Sequence, residues 1–238
     1  MFSIVIPLFN ESKNIKFLLD EIIKNLINHK NYEIILVNDA STDDTSQVIN
    51  SLSFNNIKII TNTENKGQSF SIHEGIKKSS HNIIITLDGD GQNDPADIPQ
   101  LYDLYSLNKS VKLIGGIRRN RKDNFTKIIS SKIANSIRSR ILNDECIDTG
   151  CALKIFDKKI FLSFPFFDGV HRFLPALFKG YGHKTLFVDV NHRKRNHGRS
   201  KYGTMNRLFA GIRDIIKVKT AERSRLNYFR NRESTICI

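Results

Sequence analysis

Hydrophobic and polar positions in the first half of the chain alternate between two spacings. Short runs rich in β-branched residues, SIVIPL at 3–8 and YEIILVND at 32–39, have the composition of buried strands. Between them, ESKNIKFLLDEIIKNLINH at 11–29 repeats its apolar residues at intervals of three and four, which predicts an amphipathic helix. A turn rich in Ser, Thr and Asp follows the second strand, and another helix is predicted from about Asp43.

The same strand-then-helix order repeats twice more. NIKIIT at 56–61 precedes a predicted helix from about Gly67, and HNIIITLD at 81–88 precedes one that begins at Pro95. Repeated units of this kind predict an α/β fold, with a mostly parallel central sheet and helices on both faces. In such sheets ligands bind beyond the carboxyl ends of the strands, so the polar residues that follow each strand are candidates for function.

The second half of the chain is less regular. Its pattern predicts, in order, a strand at 112–116, a helix at 125–142, a strand at 148–156, a helix at 171–180, a strand at 184–190 and a helix at 204–218. With 238 residues, the chain is long enough for one α/β domain and short for two. We expect one domain over residues 1–219, followed by a basic tail at 220–238.

Positive charge is concentrated near the C-terminus. Of the net charge of +13, +10 lies in residues 191–238. Such a segment suits the phosphates of nucleic acid, anionic lipid head groups or a phosphorylated substrate, and a solvated basic terminus is the alternative.

The remaining composition bears on the compartment. The three cysteines form no CxxC pair, which favours a reducing environment. The first residues lack the basic region and cleavage site of a secretion signal, and no apolar run approaches ~18 residues. We therefore expect a cytoplasmic protein without a membrane-spanning helix.

Two carboxylates, Asp88 and Asp90, directly follow the fourth predicted strand, and Gly89 between them allows close backbone approach. Together with the amide oxygen of Gln92, they can hold a hard cation such as Mg²⁺ or Mn²⁺ while phosphate oxygens and water complete its shell. A calcium loop would need Gly at 93 and Glu at 99, where this chain has Asn and Pro. An acidic turn that caps the next helix is the structural alternative.

A second polar turn, Asn38–Asp43, ends the second strand in the same way. Ser41 or Thr42 suits a helix N-cap, whereas a carboxylate at a strand end also suits ribose hydroxyls or a base edge. Glu11, after the first strand, is open to the same two interpretations.

Eight segments carry a more specific pattern than any of these turns alone. They are IVIPLFNE at 4–11, VNDASTDDT at 37–45, NKGQS at 65–69, LDGDGQNDP at 87–95, GIRRNRKD at 116–123, DTGCALKIF at 148–156, HRFLPAL at 171–177 and HRKRNHGRSKYG at 192–203. In this order they resemble the family 2 glycosyltransferases, in particular the dolichol-phosphate and polyprenyl-phosphate mannosyl- and glucosyltransferases. The resemblance spans Ile4 to about Val218 and implies a GT-A fold, which is Rossmann-like and agrees with the predicted element order.

The resemblance implies a nucleotide-sugar site in residues 1–110 and an acceptor site in 111–219. The implied donor-binding residues are Pro7, Phe9, Glu11, Val37, Asn38, Asp39, Gln68, Asp88, Gly89 and Asp90. Asp88 and Asp90 are then catalytic, and Asp90 with Gln92 holds Mg²⁺ or Mn²⁺. Asn38 stands where the family usually has Asp, so one carboxylate is missing from the expected base pocket.

Several basic residues match positions that face phosphates in the family. The implied acceptor or phosphate-binding residues are Arg118, Lys127, Arg195, Ser200 and Lys201, of which Arg118 and Lys201 are also catalytic. Lys127 often has an Arg counterpart, so it supplies charge without a bidentate fork. Gly198 and Gly203 flank Ser200 and Lys201 and would allow this loop to close over a substrate.

The implied reaction is inverting transfer of a hexose-type sugar from UDP or GDP to a polyprenyl or dolichyl phosphate. The enzyme would lie peripherally on the cytoplasmic face of a membrane, with an integral membrane partner as a possible anchor. A transferase with a hydroxyl acceptor in polysaccharide synthesis is the alternative, and Asp148 would be its candidate base. A nucleic-acid-binding protein is a distant alternative that only the charge suggests.

Overall fold

A seven-stranded sheet forms the centre of the computed structural model, which describes residues 1–52, 54–119, 136, 138–195 and 214–221. The strands are β1 (Phe2–Leu8), β2 (Tyr32–Asn38), β3 (Ile57–Thr61), β4 (Ile83–Thr86), β5 (Val111–Arg118), β6 (Lys154–Asp157) and β7 (Lys184–Val190). Their order across the sheet is β3-β2-β1-β4-β6-β5-β7, and β6 runs antiparallel to both of its neighbours. The remaining pairs are parallel, which confirms the predicted α/β class.

Helices cover both faces of this sheet. They are α1 (Ser12–Asn25), α2 (Thr45–Asn50), α3 (Gln68–Lys77), α4 (Ile98–Leu107), α5 (Lys158–Leu162) and α6 (Leu174–Gly180), with 3-10 turns at Pro95–Asp97 and Val170–Arg172. Residues 138–142 and 214–221 are also helical. Among the described residues, no helix combines the length and the apolar composition that a membrane crossing requires.

Side chains that alternate along β1 divide between two hydrophobic cores. Ile4 and Ile6 pack with α1 and α4, whereas Val5 packs on the opposite face with α3 and α6. This is the alternation of period two that a strand buried on both faces requires. Four apolar residues on one side of α1 are fully buried, in agreement with the helical spacing of the sequence: Ile15, Leu18, Leu19 and Ile22.

The strand order creates a switch point between β1 and β4. The chain proceeds outward from β1 through β2 to β3 and then returns to the other side of β1 as β4. The register pairs Val5 with Thr86, so the residues after β4 emerge beside the end of β1. Open α/β sheets bind ligands at such a point because the loops diverge there and leave a crevice.

The structure corrects the predicted strand at 148–156. Only its last part forms a strand, because β6 begins at Lys154. The backbone N–H of Cys151 donates to the carbonyl of Asp148 at 3.3 Å, so these residues form a turn before the strand. The first helix is also shorter than predicted, since it ends at Asn25. Most of the helices predicted at 125–142 and 204–218 lies outside the described residues.

Candidate functional site

The loop that follows β4, residues 88–94, is called the acidic loop below. Asp88 Oδ1 accepts a hydrogen bond from Gln68 Nε2 at 2.7 Å, which links the loop to the start of α3. Asp90 Oδ1 accepts from the backbone N–H of Gln92 at 3.0 Å. These contacts fix both carboxylates at the switch point beside β1.

Gly89 allows the acidic loop to lie against β1. A Cβ at this position would stand 2.5 Å from Leu8 Cδ2 and 3.3 Å from the carbonyl oxygen of Pro7. Any side chain would therefore push the loop away from the strand. The glycine predicted to allow close backbone approach does so toward the protein's own first strand.

The surroundings of Asp88 oppose the ionisation of its carboxyl group. Burial and the neighbouring Asp90 carboxylate raise the pKa of Asp88 to about 7, although Lys154, Arg118 and Arg195 act in the opposite direction. Two carboxylates held this close repel each other when both are ionised. The pair is therefore an electrostatic site for an additional positive charge.

The donor set of the acidic loop fits a hard divalent cation. Within the part of the chain that the structure describes, no group of three or more His, Cys, Asp or Glu side chains is arranged around a common metal position. Two carboxylates with open positions are nevertheless how Mg²⁺ is commonly bound, because it retains water and phosphate oxygens as further ligands. Asp88 and Asp90 meet that requirement. The Gln92 side-chain nitrogen donates to the Arg193 carbonyl at 3.4 Å, beside the same loop.

A short stretch after β7, residues 191–195, is called the basic segment below, and it crosses the acidic loop. His192 forms an isolated antiparallel bridge with Asn93. The guanidinium of Arg195 contacts the carboxylate of Asp90, whose side chain is only 7% exposed. Arg195, which the sequence predicts to bind phosphate, thus contacts Asp90, which the sequence predicts to bind the metal.

Arg118 and Asp148 form a partly buried ion pair at the end of β5. The backbone N–H, Nε and Nη2 of Arg118 donate to the Asp148 carboxylate at 3.1, 2.8 and 2.7 Å. Gly150 permits this contact, because a Cβ there would stand 2.9 Å from Arg118 Nη2. A carboxylate engaged by a bidentate guanidinium is a poor proton acceptor, which disfavours Asp148 as a general base.

Lys154 is a cation of this site that sequence reasoning missed. It is 3% exposed and pairs in register with Thr86, two residues before Asp88. Its ammonium donates to the carbonyl of Cys151, in the turn that precedes β6. The available signal was a charged residue inside the otherwise apolar run ALKIF, an unusual position for Lys unless the surroundings compensate its charge.

His171 lines a small cavity together with Asp88 and Lys154. Its Nδ1 lies 2.6 Å from Ser69 Oγ. Burial, with the neighbouring Arg172 and Lys154 charges, lowers the pKa of His171 to about 3. The imidazole is therefore neutral at physiological pH and adds no positive charge to the site.

On the β2 side of the switch point, Asp39 organises a loop. Its carboxylate accepts hydrogen bonds from Asn62 Nδ2 at 2.7 Å and from the backbone N–H groups of Lys66 and Gly67 at 2.9 and 2.8 Å. Gly67 has φ +85°, a conformation that favours glycine. Asp39 thereby holds the approach to α3 in place, whatever else it contacts.

The other predicted donor residues on this side are largely engaged within the protein. Asn38 is fully buried, donates to Ser46 Oγ at 2.8 Å and accepts from the Ser41 N–H at 3.1 Å. Val37 is also fully buried and packs toward Gly75 of α3.

Three further donor-site predictions lie at the end of β1. Glu11 is buried and accepts from Asn14 Nδ2 at 2.8 Å. Pro7 and Phe9 are partly exposed. Their predicted role in nucleotide binding stays a prediction, and Lys127, Ser200 and Lys201 lie outside the described residues.

Comparison with known families decides the class of protein. The sequence model described as "Glycosyl transferase family 2" matches residues 3–164. The chain belongs to this family. Its membership of glycosyl transferase family 2 confirms the resemblance found in the sequence motifs and, at the level of the family, the predicted glycosyltransferase class.

Relatives with curated names narrow the comparison within glycosyl transferase family 2. A dodecaprenyl-phosphate galacturonate synthase from Rhizobium johnstonii is 34% identical over 225 residues, which cover 91% of this chain and 65% of the relative. An undecaprenyl-phosphate 4-deoxy-4-formamido-L-arabinose transferase from Aeromonas hydrophila is 29% identical, with 94% of this chain and 69% of the relative covered. The chain thus spans about two thirds of the length of these relatives.

Solved structures support the fold. Glucosyl-3-phosphoglycerate synthase from Mycobacterium tuberculosis, crystallised with Mn²⁺ and UDP, superposes with a TM-score of 0.70 at 17% identity. The match covers 93% of this chain and 79% of that one. The same synthase has also been crystallised with Mg²⁺ and UDP. At this level of identity, the similarity shows a common fold.

Proposed function

We propose that this glycosyl transferase family 2 chain moves a hexose-type sugar from a UDP or GDP donor to a polyprenyl phosphate. The observation that carries the proposal is the meeting of an acidic pair with three cations at the switch point of the sheet. Asp88 and Asp90 form the pair, and the cations are those of Arg118, Lys154 and Arg195. The two curated relatives, both named for polyprenyl-phosphate substrates or products, support a lipid phosphate as the acceptor.

Mg²⁺ or Mn²⁺ is the cofactor that this chain is proposed to use. Asp90 and Gln92 would hold the ion through carboxylate and amide oxygens, with the Asp88 carboxylate beside them. When bound, it would neutralise negative charge on the nucleotide diphosphate leaving group. The raised pKa of Asp88 supports this assignment, because the carboxylate pair accommodates a second negative charge poorly without a cation.

The chain's own cations hold the phosphate groups. Donor diphosphate and acceptor phosphate repel each other, so a site that brings them together needs fixed positive charge on both sides. Arg118 is oriented by Asp148, and the basic segment carries Arg195 to the acidic loop. Both guanidinium groups can bind phosphate oxygens in a bidentate manner.

A phosphate acceptor would not require a general base. A phosphate monoester is ionised near neutral pH, so its oxygen attacks the anomeric carbon without a general base. A hydroxyl acceptor needs a base, and Asp148, the carboxylate considered for that role, is committed to Arg118. A single in-line displacement of this kind inverts the configuration at the anomeric carbon.

The proposed location is the cytoplasmic face of a membrane, where a polyprenyl phosphate presents its head group. Basic residues in 191–238 would interact with anionic lipid, with each cation near the surface contributing about 1 kcal/mol. An integral membrane partner is the proposed anchor.

A donor panel tests the proposal. Purified chain is incubated with Mn²⁺ or Mg²⁺, a short polyprenyl phosphate and individual UDP or GDP sugars, and both nucleotide release and the glycolipid are measured. We expect a lipid-phosphate-dependent product with at least one donor and none with Asp90→Asn. Nucleotide binding without a product across a complete panel would overturn the proposed acceptor, and absence of nucleotide binding would overturn the donor site itself.

A further inference from the structure

The basic segment lies in antiparallel register on the acidic loop. The bridge between Asn93 and His192 sets that register, and the N–H of Arg193 donates to the Gln92 carbonyl at 2.9 Å. Continuing the same register places residue 195 opposite residue 90. That is where Arg195 contacts the Asp90 carboxylate.

Arg193 ties this register to the body of the protein. Its Nη1 donates to both carboxylate oxygens of Glu21 on α1, at 2.8 and 2.7 Å. Its Nη2 contacts the carboxylate of Asp94, at the end of the acidic loop. One planar guanidinium therefore joins three parts of the molecule: α1, the acidic loop and the basic segment.

Arg193 and Arg195 are two residues apart in the basic segment, and both contact carboxylates of the acidic loop, Asp94 and Asp90 respectively. In an extended chain, side chains two residues apart point to the same face. A shift of one residue would turn Arg195 away from Asp90 and bring a neighbouring side chain to its place. The contact between Arg195 and Asp90 thus depends on the register that Arg193 helps to fix.

We propose that Arg193 is a positioning residue that sets the register of the basic segment on the acidic loop and thereby aligns Arg195 with Asp90. Arg193 acts through Arg195 and the loop, without contacting a substrate. Its importance for sugar transfer rests on the proposed function, in which Arg195 and Asp90 belong to the phosphate and donor sites. The effect of Arg193 on the register of the basic segment does not depend on the proposed function.

Geometry distinguishes Arg193 from a simple charge. Its two terminal nitrogens donate to two carboxylates on different elements, a rigid planar fork that the single ammonium of Lys does not reproduce. Arg119 provides a matched control, because it pairs with Asp189 through side chains that are 68% and 43% exposed. That pair links the residue after β5 to β7, and within the described part of the chain the hydrogen bonds of Arg119 go to Asp189 and Val190 of β7.

Hydrogen exchange measures the register directly. The variants are Arg193→Met, Arg193→Lys, Glu21→Gln and the control Arg119→Met, all in the full chain. We expect amide exchange of Asn191 and Arg193 to rise at least about tenfold in Arg193→Met and to rise less in Glu21→Gln. The protection of β1 should remain unchanged in every variant. Wild-type exchange at 191–195 in Arg193→Met would overturn the proposal.

Kinetics test the functional consequence. We expect Arg193→Met to lower kcat/KM for polyprenyl phosphate at least about tenfold through misplacement of Arg195, with the Kd for the nucleotide little changed. Arg193→Lys should recover only a minor part of this loss, and full recovery would overturn the geometric role. If the wild-type chain transfers no sugar, the proposed function fails, and the exchange experiment still decides the role of Arg193.

Discussion

The guanidinium of Arg195 occupies one oxygen of the Asp90 carboxylate, and the Gln92 N–H occupies the other. Asp90 is also the residue proposed to hold a divalent cation. A cation that binds there must compete with Arg195, and a phosphate that binds Arg195 must compete with Asp90. If a cation bound Asp90 and a phosphate bound Arg195 together, the ion pair between Arg195 and Asp90 would be replaced by one contact to each ligand.

Arg195→Met is therefore expected to strengthen metal binding while it weakens catalysis. Loss of the competing cation should lower the Kd for Mn²⁺ in the absence of donor, by about two- to tenfold for an ion pair of this partial exposure. Turnover should fall because the phosphate contact is lost. A Mn²⁺ titration followed by electron paramagnetic resonance measures the first effect, with Arg119→Met as the control. Weaker Mn²⁺ binding in Arg195→Met would contradict the competition.

The variant Asp148→Asn tests whether Asp148 acts as a general base or orients Arg118. The change removes the Asp148 charge that faces the partly buried Arg118, so the free energy of unfolding should fall by about 1–3 kcal/mol. Turnover should fall because Arg118 is no longer held by two parallel hydrogen bonds, but the shape of the pH–rate profile should persist. Urea unfolding and a pH series measure the two effects. A general base at Asp148 would instead show as loss of the acidic limb of the profile.

His171 gives the fold a pH dependence of defined sign. Its pKa is about 3 in the folded chain and near 6.5 in an unfolded one, so the unfolded state binds more protons between these values. The stability contribution is complete above about pH 6.5 and falls by at most about 1.4 kcal/mol per pH unit below it. Between pH 7.5 and 4.5, the unfolding free energy should fall more steeply with acidification in wild type than in His171→Gln, whereas the raised pKa of Asp88 contributes a slope of opposite sign to both proteins. Equal slopes would contradict the buried neutral imidazole.

Gly89→Ala tests the close approach of the acidic loop to β1. The added methyl group would overlap Leu8 and press on the Pro7 carbonyl, at a cost of about 1–3 kcal/mol for overpacking. Activity should fall further than stability, since the displaced loop carries both carboxylates. Thermal unfolding and kcat measure the two effects. Leu8→Val in the same chain should partly restore both, and a double variant no better than Gly89→Ala would exclude the contact with Leu8 as the cause.

Local patterns were sufficient for most of the fold. The alternating run in β1 and the helical spacing in α1 each require one kind of burial, so the sequence predicts both elements. The turn at 148–153 escaped prediction because its last three residues are apolar and run directly into β6. Its conformation depends on tertiary contacts, including that of Gly150 with Arg118. The antiparallel placement of β6 likewise follows from pairing between distant segments, which no local spacing encodes.

The candidate site also contains residues that the sequence predicts and residues that it does not. The acidic pair could be predicted because Asp88 and Asp90 follow a strand directly, where α/β sheets place their ligands. Lys154 and Arg193 could not, because their importance comes from neighbours far away in sequence: Asp88 for the first and Glu21 for the second. The side chain of Asn38 contacts Ser46 and the backbone of Ser41 in the turn after β2, and its predicted role in the base pocket stays a prediction.

The most direct test of the account compares two acceptors of equal chain length, a polyprenyl phosphate and the corresponding free polyprenol. Each is offered to the wild-type chain with Mn²⁺ and the donor that the panel identifies, and formation of glycolipid is followed by mass spectrometry. The account predicts a product with the phosphate and none with the alcohol, because the site supplies cations for a phosphate and Asp148, the carboxylate considered as a base, is paired with Arg118. Transfer to the alcohol at a comparable rate would contradict it.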